Sequence, residues 1–185
     1  MHSFPINRIF DLYGAKNCYM IRLEKFNYHD FNRLISWIDS EESMVIFSGP
    51  IFSYPLNQEQ LNRYISAENR LVYKVKETLT DSVIGHAELN NIDLKNKSAR
   101  ICRILVGDKQ KRNMGFGKAI IKALINIGFN ELNLHRLDLG VFYFNHQAIA
   151  CYKKCGFEVE GLMKDTTKIG DVYWSVYNMS IINKR

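Results

Sequence analysis

The sequence predicts a mixed α/β fold (α+β), built on a twisted, mostly antiparallel sheet of about seven strands with helices on both faces. Three observations lead to this class. The first half alternates apolar and polar residues in short runs joined by turns, which is typical of an antiparallel meander. The second half changes to strand, helix and strand, which is typical of a crossover connection. Between the halves, a basic loop with two glycines separates a strand from a helix. The length of 185 residues predicts a single domain spanning 1–185.

The first half of the chain contains four predicted strands and two predicted helices. In order they are a strand at 18–23, a helix after Asn27, a loop at 48–55, a helix from 57–60 onward, and strands at 71–76, 83–90 and 99–106. Apolar residues at helical spacing support the first helix, namely Phe31, Leu34, Ile35 and Ile38. The stretch Asn57-Gln58-Glu59-Gln60 is similar to a capping box and begins the second helix. Turns at 80–81 and 95–98 join the last three strands.

The second half contains two predicted helices and three predicted strands. A helix at 115–129 is followed by a strand at 136–142, a helix at 146–155, a strand at 157–162 and a last strand near 172–182. Asn145 can cap the second helix, because its side chain can accept a hydrogen bond from a first-turn N–H. Gly156 can end the same helix in a left-handed turn. This order predicts a mixed sheet.

The loop at 112–118 has the features of a phosphate-binding site. It follows the apolar run Ile104-Leu105-Val106 and opens a helix. The N–H groups of a first helical turn have no partner inside the helix, and the helix dipole adds partial positive charge there. Gly115 and Gly117 let the backbone approach a ligand closely. Five basic residues between positions 107 and 122 stand against one acidic residue, Asp108, so we expect a compact anion here.

Composition and charge limit the function classes. Hydrophobic residues make up 46% and charged residues 24%, which is ordinary for a soluble globular protein, and no apolar stretch is long enough to span a membrane. The net charge of +6 suits an acidic partner, but its concentration near the loop favours a phosphorylated cofactor over a broad nucleic-acid surface. Four cysteines (Cys18, Cys102, Cys151 and Cys155) lack metal-site or disulfide spacing, so we expect reduced thiols and no metal. No early segment joins a basic start to a long apolar run, so we expect a cytoplasmic location.

Two common nucleotide motifs fit this loop poorly. A dinucleotide fingerprint needs a small residue at position 120, where the chain has Ile120. A P-loop needs a glycine at position 112 and a serine or threonine after its lysine, where the chain has Arg112 and Ala119. A capped helix with a solvated basic face is the structural alternative to a binding loop.

A second motif follows at 145–157. Its spacing is Asn-x2-Ala-x3-Tyr-x3-Gly-Phe, from Asn145 through Tyr152 to Phe157, and the loop upstream reads Arg-x2-Gly-x-Gly. With these two motifs in this order, the chain from 18 to 182 resembles the GNAT superfamily of acyl-coenzyme-A-dependent N-acyltransferases. In pattern it is most similar to the spermidine and ribosomal-protein N-terminal acetyltransferases. The resemblance implies a GNAT-like fold, acetyl-CoA as cosubstrate, and the primary amine of a small molecule or peptide as acceptor.

The resemblance also implies which residues bind coenzyme A. In GNAT enzymes the loop that corresponds to 112–118 wraps the pyrophosphate with main-chain N–H groups, and the strand before it pairs with the pantetheine amides. The cofactor-binding residues expected here are therefore Ile104, Leu105, Val106, Arg112, Asn113, Met114, Gly115, Phe116, Gly117 and Lys118, with Asn145 on the pantetheine arm.

The chemistry of acetyl transfer requires three further groups. A free alkyl amine has a pKa of about 10, so a base must remove a proton before attack. Attack on the thioester forms an oxyanion, which the N–H of Leu105 or Val106 could stabilise. Collapse expels a thiolate, and the resemblance implies that Tyr152 supplies its proton. The transfer needs no covalent enzyme intermediate, so we expect direct attack in a ternary complex.

Glu88 is the first candidate for the base. It lies on the strand before the cofactor strand, where related enzymes often have a carboxylate, and the structural alternative is an exposed strand residue. A second route, a glutamate on the strand after the long helix, is closed because Gly140 occupies that position, and Asp138 is a weak substitute. His86 and His146 occupy positions where a histidine is more often structural.

The acceptor has the weakest signal in the sequence. Spermidine acetyltransferases hold their polyamine with clustered carboxylates. This chain instead has Arg100 early in the cofactor strand, where a relative would show an acidic residue, and Ser175 two residues after Tyr173, where relatives carry an aspartate. The acidic run at 39–42 is the remaining candidate, and it can equally be a solvated helix end. Protein N-termini, polyamines and other small amines all remain possible acceptors.

A different class of function also remains possible, namely a non-catalytic coenzyme-A-binding or ribosome- or RNA-associated module with this fold. Nucleic acid is the less favoured partner, and a homodimer is compatible with the sequence.

Overall fold

A seven-stranded sheet organises the structure, which is a computed structural model that describes residues 20–184. The strands are β1 (Ile21–Lys25), β2 (Leu71–Glu77), β3 (Val83–Asp93), β4 (Ser98–Val106), β5 (Arg136–Phe142), β6 (Glu158–Ile169) and β7 (Val172–Ile182), in the spatial order β1-β2-β3-β4-β5-β7-β6. Neighbouring strands are antiparallel, except that β4 and β5 are parallel. The predicted mixed, mostly antiparallel sheet is confirmed.

Within residues 20–184, five α-helices cover the two faces of the sheet. They are α1 (Phe31–Trp37), α2 (Glu41–Ser48), α3 (Gln58–Ser66), α4 (Phe116–Asn126) and α5 (His146–Lys154). Helices α1 to α3 pack on one face through an apolar cluster that includes Leu34, Met44 and Leu61. Helices α4 and α5 pack on the other face, where Ile120 and Leu124 belong to a second cluster. None of the five is long and apolar enough to cross a membrane.

Several element bounds differ from the sequence prediction; for example, β3 continues to Asp93 and α4 ends at Asn126, where a π-helical turn (Ile127–Glu131) follows. The helix α2 begins at the predicted acidic run because Ser40 caps it, its hydroxyl accepting from the Ser43 N–H at 3.1 Å. The strand predicted at 157–162 continues to Ile169, as part of a long hairpin with β7. The first strand begins at Ile21, and positions 18 and 19 of its predicted range, with the Cys18 thiol, lie outside the described residues.

The parallel pair of strands is short, and this positions the site. β4 pairs with β5 over three residue pairs, from Ser98 with Arg136 to Arg100 with Asp138. Beyond Arg100, β4 keeps its partner β3 but has no partner on its other side among the described residues. The two strands therefore part and leave an opening in the sheet, which we call the β4–β5 opening.

Candidate active site

The backbone of β4 directs hydrogen-bonding groups into the β4–β5 opening. The Gly107 N–H donates to the Ile84 carbonyl of β3 at 2.9 Å. Because backbone groups alternate in direction along a strand, Leu105 also directs its N–H toward β3, whereas Val106 directs its N–H and carbonyl away from it. The Arg112 Nε–H donates to that Val106 carbonyl at 3.1 Å, which agrees with this direction. Of the two N–H groups predicted to stabilise the oxyanion, that of Val106 faces the opening.

A β-bulge lies where β4 turns away from β5. Two residues of β4 between Cys102 and Leu105 stand opposite Ala87 of β3, and the first of them, Arg103, has φ of +50°. A bulge bends its strand and increases the local twist. The bulge also turns the Arg103 side chain toward the α1–α3 face, where it pairs with Glu88.

The glycine loop at 112–118 leaves the N-terminus of α4 open. Gly115 precedes the helix with φ of +89°, a conformation that favours glycine, and no side chain caps the helix. A Cβ added at Gly115 or Gly117 would meet no atom within 4 Å. The Asn113 side chain accepts a hydrogen bond from Gln147, which ties the loop to the first turn of α5. Phe116 is buried in the core, so only its backbone can face a ligand.

Two of the basic residues near this loop are already paired. Lys111 Nζ lies 2.9 Å from Glu77 Oε2, and Lys109 Nζ lies 3.1 Å from Asp39 Oδ2. Less unpaired positive charge is therefore available to bind an anion than the sequence suggests. Three basic residues have no carboxylate partner within residues 20–184, namely Lys118, Lys122 and Arg112. The Arg112 guanidinium donates a hydrogen bond to the Val106 carbonyl instead.

Tyr152 and Asn145 are both placed by α5. The Tyr152 ring packs edge-on against Phe157, with the ring centroids 6.1 Å apart. Burial raises the pKa of Tyr152 well above its ordinary value, so the phenol stays protonated at neutral pH. Its hydroxyl has no hydrogen-bond partner in the described part of the chain and is free to donate. Asn145 Oδ1 accepts from the Ala148 N–H at 3.2 Å and caps the helix, as predicted.

Glu88 is fully buried at the centre of a polar cluster on the α1–α3 face. The Tyr64 hydroxyl donates to Oε2 at 2.6 Å, and Arg103 donates to both oxygens, with Nη2 2.9 Å from Oε1. Arg70 Nη1 lies 3.4 Å from Oε1. The side chain is 0% exposed, so the alternative of an exposed strand glutamate is wrong. Its role as the base remains a prediction.

Two of the other candidate bases, His86 and Asp138, have structural partners, whereas His146 is exposed at the start of α5. His86 is buried, and because a carbonyl can only accept, its Nδ1–H donates to the Arg103 carbonyl at 2.9 Å. Burial lowers the pKa of His86 to about 4, which keeps the ring neutral. Asp138 is paired with Arg100. A Cβ at Gly140 would lie 2.7 Å from Arg100 Nη2, so this ion pair occupies the space that a glutamate at position 140 would need.

The residues around Glu88 were not predicted as a group. Tyr64, Arg70 and Arg103 come from α3, from the position before β2 and from the bulge of β4. No spacing in the sequence relates these positions, because only the pairing of β2, β3 and β4 brings them together.

The chain belongs to the GNAT acetyltransferases. The family model described as an acetyltransferase (GNAT) domain matches residues 23–176. The protein is therefore an N-acetyltransferase of this family, an enzyme that uses acetyl-CoA as cosubstrate, as the two motifs predicted.

Relatives with two kinds of acceptor are similar to this chain. It is 30% identical over 141 residues to the spermidine N(1)-acetyltransferase of Vibrio cholerae, and the aligned region covers 75% of this chain and 79% of that protein. It is 33% identical over 101 residues to the L-amino acid N-acetyltransferase AaaT of Escherichia coli, which covers 53% and 60% of the two chains. The crystal structure of spermidine N-acetyltransferase from Vibrio cholerae in complex with CoA and spermine shares the fold, with a TM-score of 0.75 at 23% identity over 88% of this chain and 95% of that one.

Proposed function

We propose that the enzyme transfers acetyl from acetyl-CoA directly to a small primary amine in a ternary complex. The observation that carries this proposal is the β4–β5 opening. Val106 presents backbone groups to it beside a helix N-terminus without a side-chain cap. A thioester held there needs no covalent attachment to the protein, because the amine can attack it from the other side.

The proposed roles follow from the directions of the groups. The first-turn N–H groups of α4 bind the pyrophosphate, and β4 pairs with the pantetheine arm. The Val106 N–H stabilises the oxyanion, since it points into the β4–β5 opening. The Tyr152 hydroxyl donates to the departing sulfur. For Glu88 to accept the amine proton, Tyr64 or Arg103 must give up a hydrogen bond to it.

For the acceptor, the charge near the β4–β5 opening favours an amine with few positive charges. Arg100 and Arg103 lie on β4, and each has one carboxylate partner, Asp138 and Glu88. In the predicted acidic run, Asp39 is paired with Lys109, and Glu41 and Glu42 lie in the first turn of α2, where they complement the helix dipole. A polyamine needs an excess of negative charge, so an amino acid or a peptide N-terminus fits this surface better. Spermidine is the second candidate, and the 30% identity to a spermidine acetyltransferase favours it.

A coenzyme A release assay tests the proposal. Full-length protein and acetyl-CoA are mixed separately with spermidine, spermine, single amino acids, and peptides that begin with Ala or Ser. We expect one class to reach a kcat/KM of about 10⁴ M⁻¹s⁻¹ or more. Release no faster than background hydrolysis with every amine would contradict the proposal and favour a non-catalytic coenzyme-A-binding module.

The homodimer and the cytoplasmic location remain proposals. β6 is an edge strand of the sheet, and its apolar residues Val159, Leu162 and Met163 are exposed. A second copy of the chain would cover such an edge. Light scattering after size exclusion tests this, and a monomeric mass at micromolar concentration would contradict it.

A further inference from the structure

We infer that Arg100 binds the carboxylate of the acceptor, and that the acceptor is a free α-amino acid with an apolar side chain. The inference rests on the proposed function, because it concerns the face of the β4–β5 opening from which the amine attacks. It deepens that function by naming the residue that selects the acceptor and the two groups of the acceptor that are recognised.

Arg100 lies at the closed end of the β4–β5 opening, in the last residue pair that joins the two strands. Side chains alternate along a strand, and Ile101 packs on the α4 face. Arg100 therefore points to the α1–α3 face, which it shares with the predicted base Glu88. Its guanidinium reaches across to β5, because Nη2 would lie 2.7 Å from a Cβ at Gly140. The side chain thus spans the floor of the opening on the side opposite the start of α4.

Arg100 has donors left for a ligand. Its Nη1 donates to Asp138 and to Asn178, the latter at 3.2 Å. Its Nε and Nη2 donate to no acceptor within residues 20–184; the side chain is 30% exposed, and neither nitrogen is fully buried. These two nitrogens form one edge of the planar guanidinium fork, which matches the two oxygens of a carboxylate. A carboxylate can therefore bind Arg100 without displacing Asp138.

The charge on this face favours a ligand that brings a carboxylate. Arg70 and Arg103 both contact Glu88. Arg100 contacts Asp138, so that three guanidiniums share two carboxylates. A zwitterion places its own carboxylate on the positive side of this arrangement, whereas the further ammonium groups of a polyamine are repelled by it.

An apolar wall lies next to the guanidinium on the same face. Val176 would lie 3.2 Å from the Cβ at Gly140, and it is the direct partner of Phe142 on β5. The Phe142 ring meets Trp174 edge-on with the centroids 5.0 Å apart, and Trp174 meets Phe144 edge-on at 4.8 Å. Trp174 and Phe144 are half-buried, so part of each ring is free to contact a ligand. Aromatic side chains contribute a large apolar contact area.

These features together define the acceptor. An α-amino acid carries its amine and its carboxylate on one carbon, so the carboxylate on Arg100 positions the amine, and the side chain lies against the apolar wall. A peptide N-terminus has no carboxylate beside its amine, and a polyamine has none at all. The transfer forms the bond from the amine nitrogen to the acetyl carbon and breaks the bond from that carbon to sulfur. The proton of the amine goes to the base, and Tyr152 protonates the sulfur, as in the proposed function.

Calorimetric titration of the full-length protein, saturated with coenzyme A, tests the inference with the expected product. N-acetyl-L-phenylalanine and N-acetyl-L-phenylalaninamide have the same shape and differ in the carboxylate. We expect the acid to bind at least about 10-fold more tightly than the amide, because Arg100 donates to a charged group. N-acetylglycine keeps the carboxylate without the side chain, and it should bind about 10-fold more weakly than the acid. No turnover is measured, so the result is separate from the coenzyme A release that tests the proposed function.

Two variants locate the binding. Arg100→Gln should reduce the preference for the acid over the amide to about 2-fold or less, and Trp174→Ala should do the same to the preference over N-acetylglycine. Arg22→Gln, an equal change of charge on β1, should keep both preferences. If Arg100→Gln fails to fold, the double variant with Asp138→Asn, which removes both charges of the pair, decides. Equal affinity for acid and amide, no binding of either at millimolar concentration, or a preference that persists without Arg100 would each overturn the inference.

Discussion

Tyr152 presents a phenol that is half-buried, protonated and without a hydrogen-bond partner within residues 20–184. A hydroxyl in this state can be directed entirely at a ligand. Its neighbours are the Phe157 ring and the apolar core around α4, so the substitution by phenylalanine keeps the packing and removes the proton donor alone.

We predict that Tyr152→Phe lowers kcat by about 100-fold or more and leaves the affinity for acetyl-CoA unchanged. The reason is that the departing thiolate loses its proton donor, whereas cofactor binding rests on other groups. Coenzyme A release gives kcat, and calorimetry gives the affinity. Tyr28→Phe, at an exposed site, is the control. An unaltered kcat would remove Tyr152 from the acid role.

Glu88 is the residue for which stability and catalysis must be measured separately. We predict that Glu88→Gln lowers the free energy of unfolding by roughly 3 to 5 kcal/mol, because two buried guanidiniums lose their countercharge. Denaturant unfolding measures this. Glu24→Gln, which weakens surface ion pairs with Arg22, Lys74 and Lys76, should cost less than about 1 kcal/mol.

The rate–pH profile of the same variant decides whether Glu88 is also the base. If Glu88 is the general base, the Glu88→Gln variant should lose the increase in rate that accompanies a rise in pH. A profile of unchanged shape, with the stability loss present, would give Glu88 a structural role only.

The sequence predicts the conformation of single residues that depends on adjacent residues. It does not predict the position of side chains that depends on tertiary structure. Asn145 and Gly156 fulfil the predicted helix-cap and left-handed positions because these depend on adjacent residues alone. Arg103 is different. In a regular strand it would share a face with Ile101, which packs on the α4 side, but the bulge adds one residue and reverses the side.

At the scale of the elements, the same distinction separates the helices. α1 and α3 have apolar residues at helical spacing and could be located. The apolar residues of α2 form a continuous run from Met44 to Phe47, which carries no helical period, so its capping serines were the remaining signal. The strand β6 is longer than predicted because its residues are exposed, and pairing with β7, rather than burial, holds them.

The start of α4 gives a prediction that separates binding from folding. Gly117 lies in the first turn, its φ is not positive, and a Cβ there would point into open space. We predict that Gly117→Ala leaves the melting temperature equal or slightly higher, since alanine favours helix by about 1 kcal/mol. The affinity for acetyl-CoA should fall by about 10- to 100-fold, because the methyl group displaces phosphate oxygens from the N–H groups.

Calorimetry with acetyl-CoA and a thermal melt measure the two effects. Gly161→Ala is the matched control, because a Cβ there also meets no atom within 4 Å but lies on β6, away from α4. Normal affinity in Gly117→Ala would place the phosphates elsewhere.

At the scale of the whole molecule, buried His86 makes stability depend on pH. Its pKa is about 4 in the folded protein, against about 6.5 for a free histidine, so the unfolded chain binds the extra proton between these values. The contribution of His86 is therefore complete above pH 6.5 and is lost as the pH falls toward 4. We predict a loss of roughly 3 kcal/mol over this range.

Urea unfolding at pH 7 and at pH 4.5 measures this loss. His86→Gln should reduce the difference between the two values, and His146→Gln, at an exposed site, should leave it unchanged. An equal difference in the unaltered protein and in His86→Gln would assign the acid sensitivity to other groups.

The β4–β5 opening has a consequence for how long the protein survives in a cell. A strand edge without a partner is a place where proteases and other chains attach, and here it lies in the middle of the sheet rather than at its border. On the proposed binding mode, acetyl-CoA fills that gap as an eighth strand, so the cosubstrate completes the architecture while it delivers its acetyl group. The supply of acetyl-CoA would then affect the lifetime of the enzyme as well as its rate.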